Sequence, residues 1–308
     1  MSVMTGRHVL RVSEMSRLAA TSVAQAGAGR VHSVFHHCFN ITRPDGAWLT
    51  VAFMPFPRTP DAIIVETCAD GVDAADFYFF PDLEPSLAAE IAPERIAVPD
   101  AGIEIALDGA ALFDTRRHPF PRAGRGPARA TRNLDTARAL IRRDGRSCDA
   151  PEFRRRAEPA LAALAAAIIA GDDTATRAHC EALLGLGIGL TPSGDDILGG
   201  IAAGLFLSDE AGEQNRFLPM LLDLLRDDRR TTDVSARSLK LCADGEINDG
   251  VFEAARAILF DDEAETKRAV SSLLAIGHTS GTETARGLCL GLRLAEEIFC
   301  RRHVGGGN

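Results

Sequence analysis

Lysine, tyrosine and tryptophan are nearly missing from this chain. Of 34 basic residues only Lys240 and Lys267 are lysines, and 308 residues hold one Tyr and one Trp. The formal net charge is −9, which argues against a dedicated nucleic-acid binder with its basic footprint. No apolar run approaches the ~20 residues that cross a bilayer. The best stretch, Ile197 to Leu207, is short and contains Gly199, Gly200 and Gly204. The opening residues MSVMTGRHVLRVSEMSR carry Arg7 and Arg11 but no continuous apolar segment, which is not the pattern of a secretory leader. None of the seven cysteines forms a C-x-x-C pair, so neither a zinc ribbon nor a thioredoxin-type motif is present. The odd number fits reduced thiols buried as small apolar side chains. The expectation is a cytoplasmic protein that binds neither nucleic acid nor membrane.

What is present is an ordinary globular composition, 46% hydrophobic and 25% charged, at a length that predicts about two domains. Twelve of fifteen prolines lie at or before Pro151. Proline breaks helix interiors and central strands, so the first half is expected to be short strands and loops and the second half long helices. The predicted fold class is α+β, an N-terminal mostly-β domain over residues 1–113 followed by an α-helical domain over 151–308. Strands are predicted at 47–53, 61–68, 77–80, 95–98 and 102–107 from their apolar and β-branched content, with a helix over part of 15–25. Residues 114–150 read as an arginine-rich connector, since 114–157 hold thirteen arginines and five acids, the pattern of a solvated segment. Helices are predicted at 158–170, 174–184, 196–207, 215–226, 235–243, 250–260, 264–275 and 282–302.

The most informative run is Gly185 to Gly200, GLGIGLTPSGDDILGG. Gly185, Gly187 and Gly189 open backbone conformations closed to other residues and let a ligand approach. Pro192 suits a first helical position, and Ser193 followed by Asp196 resembles a capping box with Asp in place of Glu. Amides at such a helix start favour an anion, yet Asp195 and Asp196 would repel one. A bridging cation, a carboxylate acting as general base, or a purely structural turn are all compatible with the string. The run lacks the Gly-Lys-Ser/Thr ending of a P-loop, its glycines match a dinucleotide fingerprint only partly, and Thr191-Pro192-Ser193-Gly194-Asp195 is not a nucleophile elbow. Two further clusters also precede helices: Gly277-His278-Thr279-Ser280-Gly281-Thr282-Glu283, and Arg230-Thr231-Thr232-Asp233-Val234-Ser235. His278 is an acid, base or anion donor by type. Convergence of the three helix starts would form one pocket of amides, hydroxyls, two carboxylates and a histidine.

The strings GIGLTPSGDDILGG and GHTSGTETARGLCLGL resemble the AllH-like family, formerly a domain of unknown function, which includes a subunit of oxamate carbamoyltransferase from anaerobic allantoin breakdown. The likeness covers about 151–302, and VFHHCFNITRPDGAWLTVAF resembles the family in outline. It implies transfer of a carbamoyl group between phosphate and the nitrogen of an oxamate- or ureido-type acid, in an assembly with partner subunits or as a homo-oligomer. On this reading Asp195, Asp196 and His278 are the expected catalytic residues. Gly187, Gly189, Thr191, Ser193, Gly194, Thr232, Ser235, Thr279 and Ser280 are expected to hold a small anionic substrate or phosphate. The sequence requires no cofactor, and Mg²⁺ is compatible with the Asp pair. The competing expectations are a metal-assisted hydrolase or lyase built on that pair, and a non-catalytic binding subunit.

Overall fold

The computed structural model describes residues 8–54, 56–66, 80, 82–148, 150–209, 216–226 and 230–304. The chain divides into two compact units, Met1–Thr115 and Arg116–Asn308. The fold is α+β, with a β-barrel region followed by helices.

The first unit holds β1 (His8–Ser16), α1 (Arg17–Val23), β2 (Gly27–Val34), β3 (Cys38–Thr42), β4 (Trp48–Phe53), β5 (Ala62–Val65), β6 (Ala88–Ala92), β7 (Arg95–Val98), β8 (Ile103–Ala106) and β9 (Ala111–Phe113). Eight strands run in the order β5-β4-β3-β2-β6-β7-β8-β1, and β1 pairs back onto β5 to close the ring. β9 continues along the same side of β1 as β8, with Glu14 to Ser16 paired to Ala111 to Phe113. Closure removes the sheet edges. Eight strands enclose a space that side chains fill, and Leu10, Phe39, Ile41, Leu49, Val51, Ile63, Ile96 and Ile105 fill it here. Ser16 turns the chain from β1 into α1, its hydroxyl accepting from Ala19 N–H at 2.9 Å. Strands at 47–53, 61–68, 95–98 and 102–107 match β4, β5, β7 and β8. The strand expected at 77–80 lies largely outside the described residues.

The second unit holds α2 (Pro127–Asp144), α3 (Pro151–Ala170), α4 (Asp173–Leu183), α5 (Ser193–Ser208), α6 (Phe217–Leu224), α7 (Asp233–Ala243), α8 (Asp249–Phe260), α9 (Glu263–Leu274) and α10 (Ser280–Val304). The eight helices read from the sequence all form. α3 starts seven residues earlier than expected, at Pro151, and runs through Pro159. A ninth helix, α2, occupies the arginine-rich stretch that reads as connector. Pro127 takes its first position, and Asn133, Ala137, Leu140 and Ile141 make a narrow buried stripe. Asn133 Nδ2 donates to the carbonyls of Ala257, Ile258 and Asp261 at the end of α8. The arginines lie outside that stripe.

α5 is buried almost all round, as expected of a central helix rich in apolar residues. Its glycines meet those of α10. A Cβ added to Gly200 would stand 2.2 Å from Thr284 O, and one added to Gly287 2.1 Å from Ile197 O. The two backbones therefore touch, and only glycine fits. Ile197 faces Gly287 and Ile201 faces Gly291, so α5 and α10 run in the same direction. α7 does too: Asp195 meets Thr231 and Ser235, and Gly199 meets Leu239. Three helices consequently begin at one end of this unit.

Candidate functional site

The glycine loop before α5 is a chain of enforced turns. Gly185, Gly187 and Gly189 all have positive φ, at 72°, 134° and 86°. At Gly187 a Cβ would also lie 2.6 Å from Ser193 N, so glycine is required there twice over. The loop folds back on itself through Gly194 N–H to Leu186 O at 2.8 Å. The main-chain N–H groups of Gly187, Ile188, Gly189, Leu190 and Thr191 donate to no acceptor among the described residues. Ile188 stands 83% exposed at the crown.

The expected capping box does not form. Pro192 is itself the N-cap, with Ser193 already the first helical residue and no side chain capping the turn. Pro192 O accepts from both Asp195 N–H and Asp196 N–H, which leaves the two carboxylates for other partners. Asp195 is 2% exposed. Its Oδ1 accepts from Gly185 N–H at 2.7 Å and its Oδ2 from the Thr231 hydroxyl, with Ser235 as a third donor. Burial raises its pKa, and the three donors oppose that rise. Asp195 thereby ties the glycine loop and the start of α7 to α5.

Asp196 sits in a different environment. It is half-buried, is hydrogen-bonded by Ser280 of α10, and its Oδ2 is buried with no partner among the described residues. Burial first, and then the negative charges of Asp195 and Glu283, push its pKa up to about 8. At neutral pH the carboxyl is mainly protonated, so it does not repel an anion and has a proton to give. The Ser280 hydroxyl also meets Thr191 Oγ1 at 2.9 Å, joining the loop to α10. Thr232 caps α7 through Ser235 N–H at 3.1 Å and donates to Leu190 O at 2.5 Å.

The structure therefore brings together Gly187, Gly189, Thr191, Ser193, Gly194, Asp195, Asp196, Thr232, Ser235 and Ser280. Thr279 and His278 lie at the adjoining start of α10. Thr279 O accepts from Glu283 N–H, while His278 is exposed and makes no hydrogen bond among the described residues. The Asp pair does not present two open carboxylates to one cation, because Asp195 is engaged on both oxygens. Among the described residues no group of three His, Cys, Asp or Glu side chains could hold a metal ion.

Sequence reasoning missed two members of this end. Thr231, next to the expected Thr232 in the same string, is the residue whose hydroxyl donates to Asp195. Glu283 is 0% exposed. Its Oε1 accepts from Cys148 N–H at 2.9 Å and its Oε2 from Arg286 at 2.8 Å, and Arg286 also donates to Glu158 at 2.6 Å. A buried carboxylate beside Asp196 is legible only once α10 is laid against α5.

A closed eight-stranded barrel and a helical unit with a glycine loop at three parallel helix starts define a two-domain α+β class of protein. A family model described as oxamate carbamoyltransferase subunit AllH matches residues 183–292, and one described as AllH family N-terminal domain matches residues 3–112. The chain belongs to the AllH family. Its function is accordingly carbamoyltransferase-related. No solved structure matches the chain. No helix among the described residues is long and apolar enough to cross a membrane.

Proposed function

We propose that the three-helix end is a carbamoyl-transfer site, acting on a small oxamate- or ureido-type acid with phosphate or carbamoyl phosphate. The observation that carries the reading is Asp196: its Oδ2 is buried with no partner among the described residues, its pKa is pushed up to about 8, and it stands beside a loop whose amides donate to no acceptor among those residues. Free amides and positive helix ends hold anionic oxygens. A neutral acid in their midst removes the conflict between two carboxylates and an anionic substrate.

In the forward direction the carbamoyl carbon leaves the phosphate oxygen and joins the substrate amide nitrogen. The nitrogen loses one proton and phosphate gains one. Amides of Gly187 to Thr191, with the Thr191 and Ser280 hydroxyls, hold the charge that develops on the carbamoyl and phosphate oxygens. Asp196 gives its proton to the departing phosphate and recovers one from the nitrogen. Asp195 is a positioning residue that fixes the loop through Gly185 and Thr231. Ser193, Gly194, Thr232, Ser235 and Thr279 shape the same end, and exposed His278 meets the substrate's outer charge. The family description names a subunit, which supports an assembly with partner subunits as the active species; the proposed setting is the cytoplasm and allantoin degradation.

The test is phosphorolysis of candidate ureido acids, read as carbamoyl phosphate, in the complete assembly. Asp196→Asn is expected to lower turnover by at least 10²-fold, the usual scale for a positioned acid or base. Wild-type turnover in that variant would sink the mechanism.

A further inference from the structure

Beyond the helix starts, α10 carries a second feature. Its face Arg286–Leu290–Arg293 forms the floor of a trough with α2 on one side and α3 on the other. The α2 side is a groove of about 310 Å³ lined by Arg138, Ile141 and Arg142 together with that floor. The α3 side, about 270 Å³, is walled by Leu161, Ala162 and Ala165, with Glu158 at the rim.

The charge of this trough is opposite to that of the whole chain. Four arginines line it, and the one acidic lining residue, Glu158, is already held by Arg286. Arg286 is further occupied by Glu283. Arg142 and Arg293 are exposed and have no ion-pair or hydrogen-bond partner among the described residues. Arg138 has only a 3.5 Å contact with Asp135, one turn back on its own helix, and its charge reaches Cys289 on the groove floor. Two unmatched guanidinium groups and a third loosely matched one thus stand around apolar surface from Ile141 and Leu290.

We propose that this trough is an anion-binding site, separate from the helix starts, for a small phosphorylated molecule with an apolar body. Guanidinium forks pair bidentately with phosphate oxygens, and Leu290 on the floor, with the edge of Ile141 on the α2 wall, takes the organic part. The arrangement answers the residues' own geometry and does not depend on the carbamoyl-transfer reading.

Calorimetric titration of the full-length chain with phenyl phosphate, inorganic phosphate and phenol separates the contributions. Phenyl phosphate is expected to bind tightest, with affinity falling as salt rises. Arg142→Ala and Arg293→Ala are each expected to weaken it about tenfold, the scale of a lost charge-assisted hydrogen bond. The corresponding lysine variants should retain part of the binding. Both arginines are surface residues, so an unchanged thermal melt checks that folding is intact. Thr191→Val and Ser280→Ala act only on a phosphate event at the helix starts, so the phenyl phosphate event that the arginine variants weaken should persist in both. If both alanine variants bind phenyl phosphate like wild type, the trough is not the site. If Thr191→Val or Ser280→Ala abolishes binding, the anion sits at the helix starts and the inference is overturned. Binding that survives when Asp196→Asn kills turnover would uphold both readings. Full binding with undiminished turnover in Asp196→Asn would uphold the trough alone.

Discussion

Replacing Asp196 by Asn is expected to stabilise the protein while disabling it, and the stabilisation should depend on pH. The ordinary carboxyl value of 3.8 is raised to about 8 in the fold. Between those values the folded chain keeps a proton that the unfolded chain gives up. The stability this proton confers is complete below about pH 4 and is lost as pH rises through the folded value. Asparagine cannot ionise and loses nothing over the same range. At about 1.4 kcal/mol per pH unit, the gap between variant and wild type should widen by up to ~4 kcal/mol from pH 4 to pH 7. For a helical unit of this size that is roughly 10 °C in melting temperature. Calorimetric melts of both proteins at pH 5, 6, 7 and 8 measure it. A gap that stays constant across these pH values would refute the reasoning, because it would mean that Asp196 titrates alike in the folded and unfolded chain.

Three further outcomes follow from the same packing. Thr231→Val leaves Oδ2 of buried Asp195 without its hydroxyl donor and should destabilise the helical unit by about 1–3 kcal/mol, read by denaturant unfolding. It should raise the Asp195 pKa further, so the loss should deepen as pH rises. Gly287→Ala forces a methyl to 2.1 Å from Ile197 O and should cost about 3 kcal/mol or more. Gly189→Ala meets nothing within 4 Å and should cost only about 1–2 kcal/mol for its left-handed backbone; equal losses would refute the backbone-contact account. Burial pushes the thiols of Cys38, Cys180, Cys242 and Cys289 up to about 12, whereas Cys300 is exposed. Cys300→Ser should therefore remove one fast-reacting thiol at pH 8 in a colorimetric assay, and Cys289→Ser none.

Much of the helical unit was legible because its helices carry their own punctuation. Gly171 ends α3, and Asp172, Thr232, Asn248 and Asp262 cap the helices that follow. α2 was not legible: its arginines mask a stripe of one Asn, one Ala, one Leu and one Ile. The barrel was legible only where strands are apolar, as in AWLTVAF. β2, β6 and β9 are short or rich in Gly and Ala, and they exist because distant partners pair with them, which no local pattern reveals. At the candidate site, the strings of glycine, hydroxyl and acid mark three helix starts that the fold brings to one end of the helical unit. They did not say which aspartate is spent on structure. Neighbours at a helix start point about 100° apart; that turn sends Asp195 inward to Gly185 and Thr231 and Asp196 across to Ser280.

No side chain stands between the middle of α5 and the middle of α10. Neither rod can slide or roll without carrying the other, so Asp196 and Ser280 keep a fixed spacing set two turns away. On the carbamoyl-transfer reading, adaptation to different substrates falls on the exposed crown residues Ile188 and Leu190. Relatives with other preferences should differ in that crown while the glycine seam beneath it stays as it is.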